Sequence, residues 1–546
     1  MAPYYPKDSP ETWPIGDVLP PQTPHGISVS LPTWDSVVQW MRREQCLLGI
    51  IKTGYPRFRI HRSIEKLQQA VLSRLKTTDA GCMIFASTAC ATRCREFMIK
   101  ETSSDRIETV SFYLPSPLPV GVSWEDARWV QFGGVVFPIE LQPKAMAYWT
   151  QSGDGISSRH AEYAMSALGY LIAVNEKCPS LCLDVTLHTS SCDFQPIESG
   201  KTAKTFLRSF IAERATSRVG LIAAHDVFLF STGMSAIYSV SRALRSLNVE
   251  REDCVAIYGF PYAETVKAIE MTRWSTVILH GHGTTEELDQ LEADLANGQR
   301  LTTLFCEFPS NPQLKSPDLR RLRRLADRYG FVIACDETIG TFVNVDLLPY
   351  VDVIMTSLTK SFSGASDVMG GSVIINPNSA HHDPIYAALA SAWEDIMFPL
   401  DAITLARNCT DLVARVRKSS ATAETLAHLL DAHPSVERVN YPSLVESRRL
   451  YEECRRPGGG YGFLISIVFR TPGAAVQFYD NLHVPKGPSL GANFTLAIPY
   501  AQIAHPWELE WAARYDVPAH LVRISVGLEE REELRRVVEA ALACIV

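Results

Sequence analysis

From about residue 221 the chain alternates short apolar runs with stretches in which apolar residues recur every three or four positions. The runs are LIAAHDVFLF, CVAIYGF, STVILHG, LTTLFCEF, FVIACDE, VDVIMTS and GSVIINP. A strand-length run that is apolar at successive positions must be buried on both faces, and helices between such runs predict a largely parallel sheet. One intervening helix is well marked. Ser316 can cap it, Pro317 suits its first turn, Leu319, Leu322 and Leu325 give the buried stripe, and Gly330 closes it. Its arginines (Arg320, Arg321, Arg323, Arg324 and Arg328) read as a solvated face.

The flanking regions follow other patterns. Prolines at 3, 6, 10, 14, 20, 21 and 24 make the beginning an extended arm, and an arm is expected over residues 1–63. Residues 64–215 mix helical periods with short strands and carry no catalytic pattern. Within them GCMIFASTACATRC reads as a strand, turn and helix of scaffold, so this stretch is expected to be an inserted α/β segment. The sheet domain takes 216–395. After it, long helices surround the strands GFLISIVF and LVRISVGL and the loop KGPSLGANFT, which predicts a smaller α+β domain over 396–546.

Composition narrows the function. The 546 residues are 46% hydrophobic and 21% charged, with 52 Lys and Arg against 60 Asp and Glu and a formal net charge of −8. That balance gives no broad electrostatic footprint for phosphate backbones, so no nucleic-acid partner is expected. No uncharged apolar run reaches the roughly 18 residues of a membrane span, and MAPYYPKDSPETWPIGD lacks the regions of a secretory leader. The 13 cysteines are scattered and several sit in apolar runs, as free thiols do in a reducing, cytoplasmic setting. Cys90/Cys94 and Cys178/Cys182 each lie one helical turn apart, without the knuckle of a zinc site, so no metal is expected. Gly200-Lys201-Thr202 ends like a nucleotide-binding loop, but Gln195 stands where the earlier glycine is needed.

In an open parallel sheet the working groups gather beyond the carboxyl ends of the strands. FLF is followed by Ser231-Thr232-Gly233-Met234 and an amphipathic helix, whose amino terminus can hold an anion. VIAC is followed by Asp336, and VDVIMTSLT by Lys360, with hydroxyls at Ser357, Thr359, Ser361 and Ser363. Pyridoxal phosphate needs these groups: a lysine for its aldehyde, a carboxylate for its pyridine nitrogen, and amides and hydroxyls for its phosphate.

The segment TSLTKSFSGASDVMGG resembles the cofactor-lysine segment of the cystathionine γ-synthase-like enzymes of cysteine and methionine metabolism. CEFPSNP, FSTGMSA and LVRISVGLE resemble that family's E-x-P-S-N-P stretch, phosphate turn and carboxyl-terminal substrate strand, in family order from about 221 to 546. PPQTPHGISVSLPTW and KTGYPRFRIH resemble the long fungal members. The resemblance implies an aspartate-aminotransferase-like (fold type I) architecture. Lys360 would bind the cofactor and carry protons, Asp336 would pair with its ring nitrogen, and Tyr262 would stack on the ring and assist the leaving group. Gly233, Met234, Ser357 and Thr359 would hold its phosphate. Arg523 and Ser489 would take the substrate carboxylate, and Asn311 would lie near it or near the cofactor's phenolic oxygen. Arg523 alternates with Val522 and Ile524, so it faces away from the apolar side of its strand, and its fork suits two-point binding.

Tyr55 and Arg57 match the family's Y-x-R, which reaches the cofactor phosphate of a neighbouring subunit, so the resemblance implies a homodimer or a homotetramer with shared active sites. The family's Asn-Pro after that motif is here Ile60-His61, and the stretch from Arg57 to Gly233 is far longer than usual, as an insertion running over the surface would make it. The implied reaction is γ-replacement on an O-acyl-L-homoserine (acetyl or succinyl), with cysteine giving cystathionine. The family's S-L-G-G-x-E is Ser489-Leu490-Gly491-Ala492-Asn493-Phe494 here, and loss of that acid leaves open a secondary-metabolic enzyme using a carbon, nitrogen or other sulfur nucleophile. A γ- or β-lyase is a further alternative. A non-catalytic binding protein fits poorly with the joint presence of Lys360, Asp336 and Arg523.

Overall fold

The computed structural model describes residues 13–51, 53–55, 58–114, 118, 123–175, 200–247 and 253–546. All seven apolar runs become strands of one sheet: Val227–Phe230, Cys254–Tyr258, Thr276–His280, Thr303–Glu307, Val332–Asp336, Val353–Ser357 and Gly371–Ile375. Strand Gly371–Ile375 alone is reversed, pairing antiparallel with both its neighbours. Alternation sends successive side chains to opposite faces. Leu304, Cys306, Ile333 and Cys335 join the core facing the carboxyl-terminal domain, whereas Phe305, Val332, Ala334 and Met355 join a second core under the helix Gly233–Ser246. Both faces are covered, which is why the strands are apolar at most successive positions.

The helix Leu319–Tyr329 has the expected leucine stripe, and Gly330 ends it with φ +76°. Its cap is Asp318, not Ser316: the Asp318 carboxylate accepts the Arg321 N–H, while the Ser316 N–H bonds the Ser447 hydroxyl. Carboxylate and hydroxyl are both good caps, and the helix starts at Leu319, which leaves Pro317 outside it and puts Asp318 at the cap position.

Residues 64–175 carry a sheet of their own, four antiparallel strands in the order Ala80–Phe85, Phe132–Pro138, Glu108–Tyr113, Ile172–Asn175. Its core includes Tyr238 of the helix Gly233–Ser246, so it docks on the main domain. The helix Gly200–Ala215 instead gives Leu207, Phe210 and Ile211 to the main core. The carboxyl-terminal α+β domain has an antiparallel sheet of Val436–Asn440, Leu464–Phe469, Val522–Ser525 and Leu496–Pro499. The first and last of these strands were not foreseen. VERVN carries two charges, and the Leu496–Pro499 strand is only four residues long.

The arm lies against its own chain. Ser28 donates its hydroxyl to the Pro488 carbonyl at 2.6 Å, and the Leu31 N–H bonds the Lys486 carbonyl at 2.8 Å. Among the described residues no helix is long and apolar enough to cross a membrane.

Gly371 fixes how the reversed strand passes the turn at Thr232, because a Cβ there would fall 2.2 Å from the Thr232 carbonyl oxygen. Gly371→Ala is expected to destabilise the fold by about 1–3 kcal/mol, measured as a lowered thermal midpoint. An unchanged midpoint would show that the turn yields freely.

Candidate active site

A cavity opens at the carboxyl ends of the main sheet, lined by residues of the arm, the inserted unit, the sheet domain and the carboxyl-terminal domain. The Ser231–Gly233 turn enters it. Thr232 caps the helix Gly233–Ser246 by accepting the Ser235 N–H, leaving the first turn of amides directed outward. Gly233 is required there, because a Cβ would meet Ser357 Cβ at 2.7 Å and its hydroxyl at 2.8 Å. Met234, Ser357 and Thr359 line the same end. The Thr359 hydroxyl also exchanges bonds with the backbone of Gly370, at 3.1 and 3.2 Å, so it closes the loop that carries Lys360.

Asp336 and Glu307 end adjacent parallel strands and are register partners. Both carboxylates line the cavity. The Asp336 carboxylate accepts the Thr338 N–H at 2.8 Å. Burial raises its pKa, against the bonds from Thr338 and the charge of Lys360. Glu307 accepts the Tyr262 N–H on one oxygen at 2.5 Å and the Asn311 N–H on the other at 3.1 Å. Burial first, and the neighbouring Asp336 second, push its pKa up to about 8. Glu307 was read only as part of a motif. Its place at the end of an apolar run, like that of Asp336, was the signal that could have singled it out.

Lys360 is buried, and its ammonium donates to the Tyr55 hydroxyl at 2.8 Å and the Ser489 hydroxyl at 3.3 Å. Burial and then the Arg523 charge lower its pKa to about 7, against the pull of Asp336. Arg523 faces the same space from the carboxyl-terminal sheet, donating to the Asn311 side-chain oxygen at 3.0 Å and the Ser489 carbonyl at 2.9 Å. It lies under the Tyr500 ring, 5.1 Å from the centroid, and burial lowers its pKa. Among the described residues no carboxylate forms an ion pair with it. Ser489 holds both cations from a backbone φ of +102°, a region costly for a residue with a side chain.

The structure therefore brings together Lys360, Asp336, Tyr262, Asn311, Ser489, Arg523, Gly233, Met234, Ser357, Thr359 and Tyr55. Within the chain Tyr55 stands beside Lys360, and the arm that carries it bonds the carboxyl-terminal domain. Arg57, Cys178 and Cys182 lie outside the described residues. Phe494 packs with Leu19, Ala492 and Leu496 in a small apolar cluster away from the cavity lining. Trp149, Thr150, Gly155 and Ile156 of the inserted unit line the cavity, although that unit was read as scaffold running over the surface.

This fold and cavity define a fold type I pyridoxal-phosphate enzyme of the α/β class. Residues 214–543 match the family model of Cys/Met metabolism PLP-dependent enzymes, and residues 63–157 match the N-terminal domain of fungal trans-sulfuration enzymes. The chain is 44% identical to the cystathionine gamma-synthase-like protein ankD of Aspergillus thermomutatus, over 97% of this chain and 94% of that protein. It is 36% identical to the cystathionine gamma-synthase of Neurospora crassa, over 97% of this chain and 98% of that one. The crystal structure of a cystathionine gamma synthase from Xanthomonas oryzae pv. oryzae in complex with cystathionine superposes with a TM-score of 0.55 at 25% identity, covering 63% of this chain and 86% of that one. The chain belongs to the cystathionine γ-synthase-like, pyridoxal-phosphate-dependent family of cysteine and methionine metabolism. Its cofactor is pyridoxal 5′-phosphate.

Only a neutral amine attacks an aldehyde, so lowering pH through the lysine's pKa removes the reactive form. Uptake of cofactor by the apoenzyme, followed by visible absorbance, is expected to slow as pH falls through about 7. A rate still rising steeply above pH 9 would contradict a lysine depressed by burial.

Proposed function

We propose that the protein catalyses γ-replacement on an O-acyl-L-homoserine, and the observation carrying this reading is that Lys360, Asp336 and Arg523 together line one cavity. The residues present fit pyridoxal phosphate. Asp336 is a carboxylate at the cavity wall that burial makes unfavourable without a cation beside it. The bare backbone of Gly233 leaves an anion room to approach the helix terminus. When bound, the cofactor supplies an electron sink for the substrate's α carbon.

The protein's groups do the rest. Arg523 grips the α-carboxylate through its planar fork, and the Asn311 side-chain oxygen helps hold the guanidinium in place. Lys360, with a pKa near neutrality, takes the α proton and returns protons along the chain of the substrate. Loss of a β proton lets the acylate leave the γ carbon, where a nucleophile then adds. Tyr262, whose backbone N–H is held by Glu307, would stack on the ring and assist departure of the acylate. Ile498, Ile503 and Ala504 make an apolar wall that keeps water from ending the reaction early. Shared active sites in a homodimer or homotetramer are part of this proposal, as is Arg57 as a phosphate ligand.

Cysteine as nucleophile gives cystathionine. A second reading, a carbon or other non-amino-acid nucleophile, is favoured by the composition of the cavity. Among its described lining residues the carboxylates are Glu307, which holds two backbone N–H groups, and Asp336, which this reading gives to the cofactor ring, so neither is left for a second ammonium.

Incubation with O-acetyl- or O-succinyl-homoserine, together with cysteine or a 3-oxo acid, is expected to yield a γ-substituted amino acid by mass spectrometry. Formation of 2-oxobutyrate alone under every condition would defeat γ-replacement and identify a lyase.

A further inference from the structure

Glu307 stands between two loops that reach the cavity. Strands Cys254–Tyr258 and Thr303–Glu307 are parallel neighbours, with Cys306 opposite Tyr258. The carboxylate at the end of the second strand therefore emerges beside the loop that follows the first. One of its oxygens accepts the N–H of Tyr262 in that loop at 2.5 Å. The other accepts the N–H of Asn311, in the loop that follows its own strand, at 3.1 Å. Asn311 in turn accepts the Arg523 guanidinium on its side-chain oxygen at 3.0 Å. One buried carboxylate thus ties the loop of Tyr262 to the residue that bonds the arginine of the carboxyl-terminal sheet.

The position is an unfavourable one for an acid. Asp336 is its register partner on the next strand, and like charges side by side oppose each other's ionisation. Glutamine would remove that repulsion, but only one of its two terminal atoms accepts a hydrogen bond. Two backbone N–H groups need two acceptors, so the tethers call for a carboxylate where the electrostatics resist one. We infer that Glu307 is a positioning residue for the substrate carboxylate: anchored on the Tyr262 loop, it sets Asn311 and, through Asn311, the direction of the Arg523 fork. This deepens the proposed function and rests on the reading of Arg523 as the group that takes the carboxylate.

The test titrates holoenzymes with L-norvaline and with butylamine, which is norvaline without its carboxylate, and follows the change in cofactor absorbance. Both probes carry the same amine and chain, so the ratio of their affinities reports the carboxylate contact. Glu307→Gln keeps the shape of the side chain and removes one acceptor. It is expected to lower the preference for norvaline about tenfold, the scale of a hydrogen bond to a charged group. A general loosening of the fold would weaken both probes alike and leave the ratio where it was. The wild-type preference, retained in full by Glu307→Gln, would overturn the inference. If the wild type itself shows no preference for norvaline, the reading of Arg523 fails and this inference with it. Glu307→Asp, which keeps both oxygens but withdraws them by one methylene, is judged on the same ratio and decides the matter should Glu307→Gln not fold.

Discussion

The site depends on the cost of holding charge away from water. Four ionisable groups, Lys360, Asp336, Glu307 and Arg523, surround one cavity, and burial shifts each of them toward its neutral form. Glu307 is eased by two backbone donors. The other three match what the proposed ligands would bring: an aldehyde for Lys360, a cationic ring nitrogen for Asp336 and a carboxylate for Arg523. A buried arrangement of this kind would be a poor way to stabilise a domain, and it is a good way to make one set of ligands complementary to it.

The fold serves that arrangement by converging strand ends. Glu307 and Asp336 are neighbours because their strands are parallel and in register, and Lys360 follows the next strand along. The carboxyl-terminal domain answers with Ser489, which is held in a strained conformation to contact Lys360 through its hydroxyl and Arg523 through its carbonyl. Close approach of the turn, the reversed strand and the inserted unit is possible only where Gly153, Gly233 and Gly371 omit a side chain.

Much of this was legible in the sequence, where a residue's role follows from its local pattern. Continuous apolar runs marked all seven strands, and strand-end position marked Asp336 and Lys360. What the pattern could not show was contact between distant segments. Asp318 rather than Ser316 caps its helix, while the Ser316 N–H bonds Ser447 from far along the chain. Trp149 looked like any aromatic on a helix, and nothing near it in the chain records that its loop hooks Thr232. The sequence marked Phe494 only as the loss of an acidic residue, and could not show that its ring packs with Leu19 and Leu496 outside the cavity lining.

The account turns on which amine carries the cofactor. Reducing the holoenzyme with borohydride fixes the cofactor to that nitrogen, and digestion followed by mass spectrometry locates it. The pyridoxyl group is expected on Lys360 alone, within TSLTKSFSG. A label on another lysine, or a protein that retains none, would contradict the site described here.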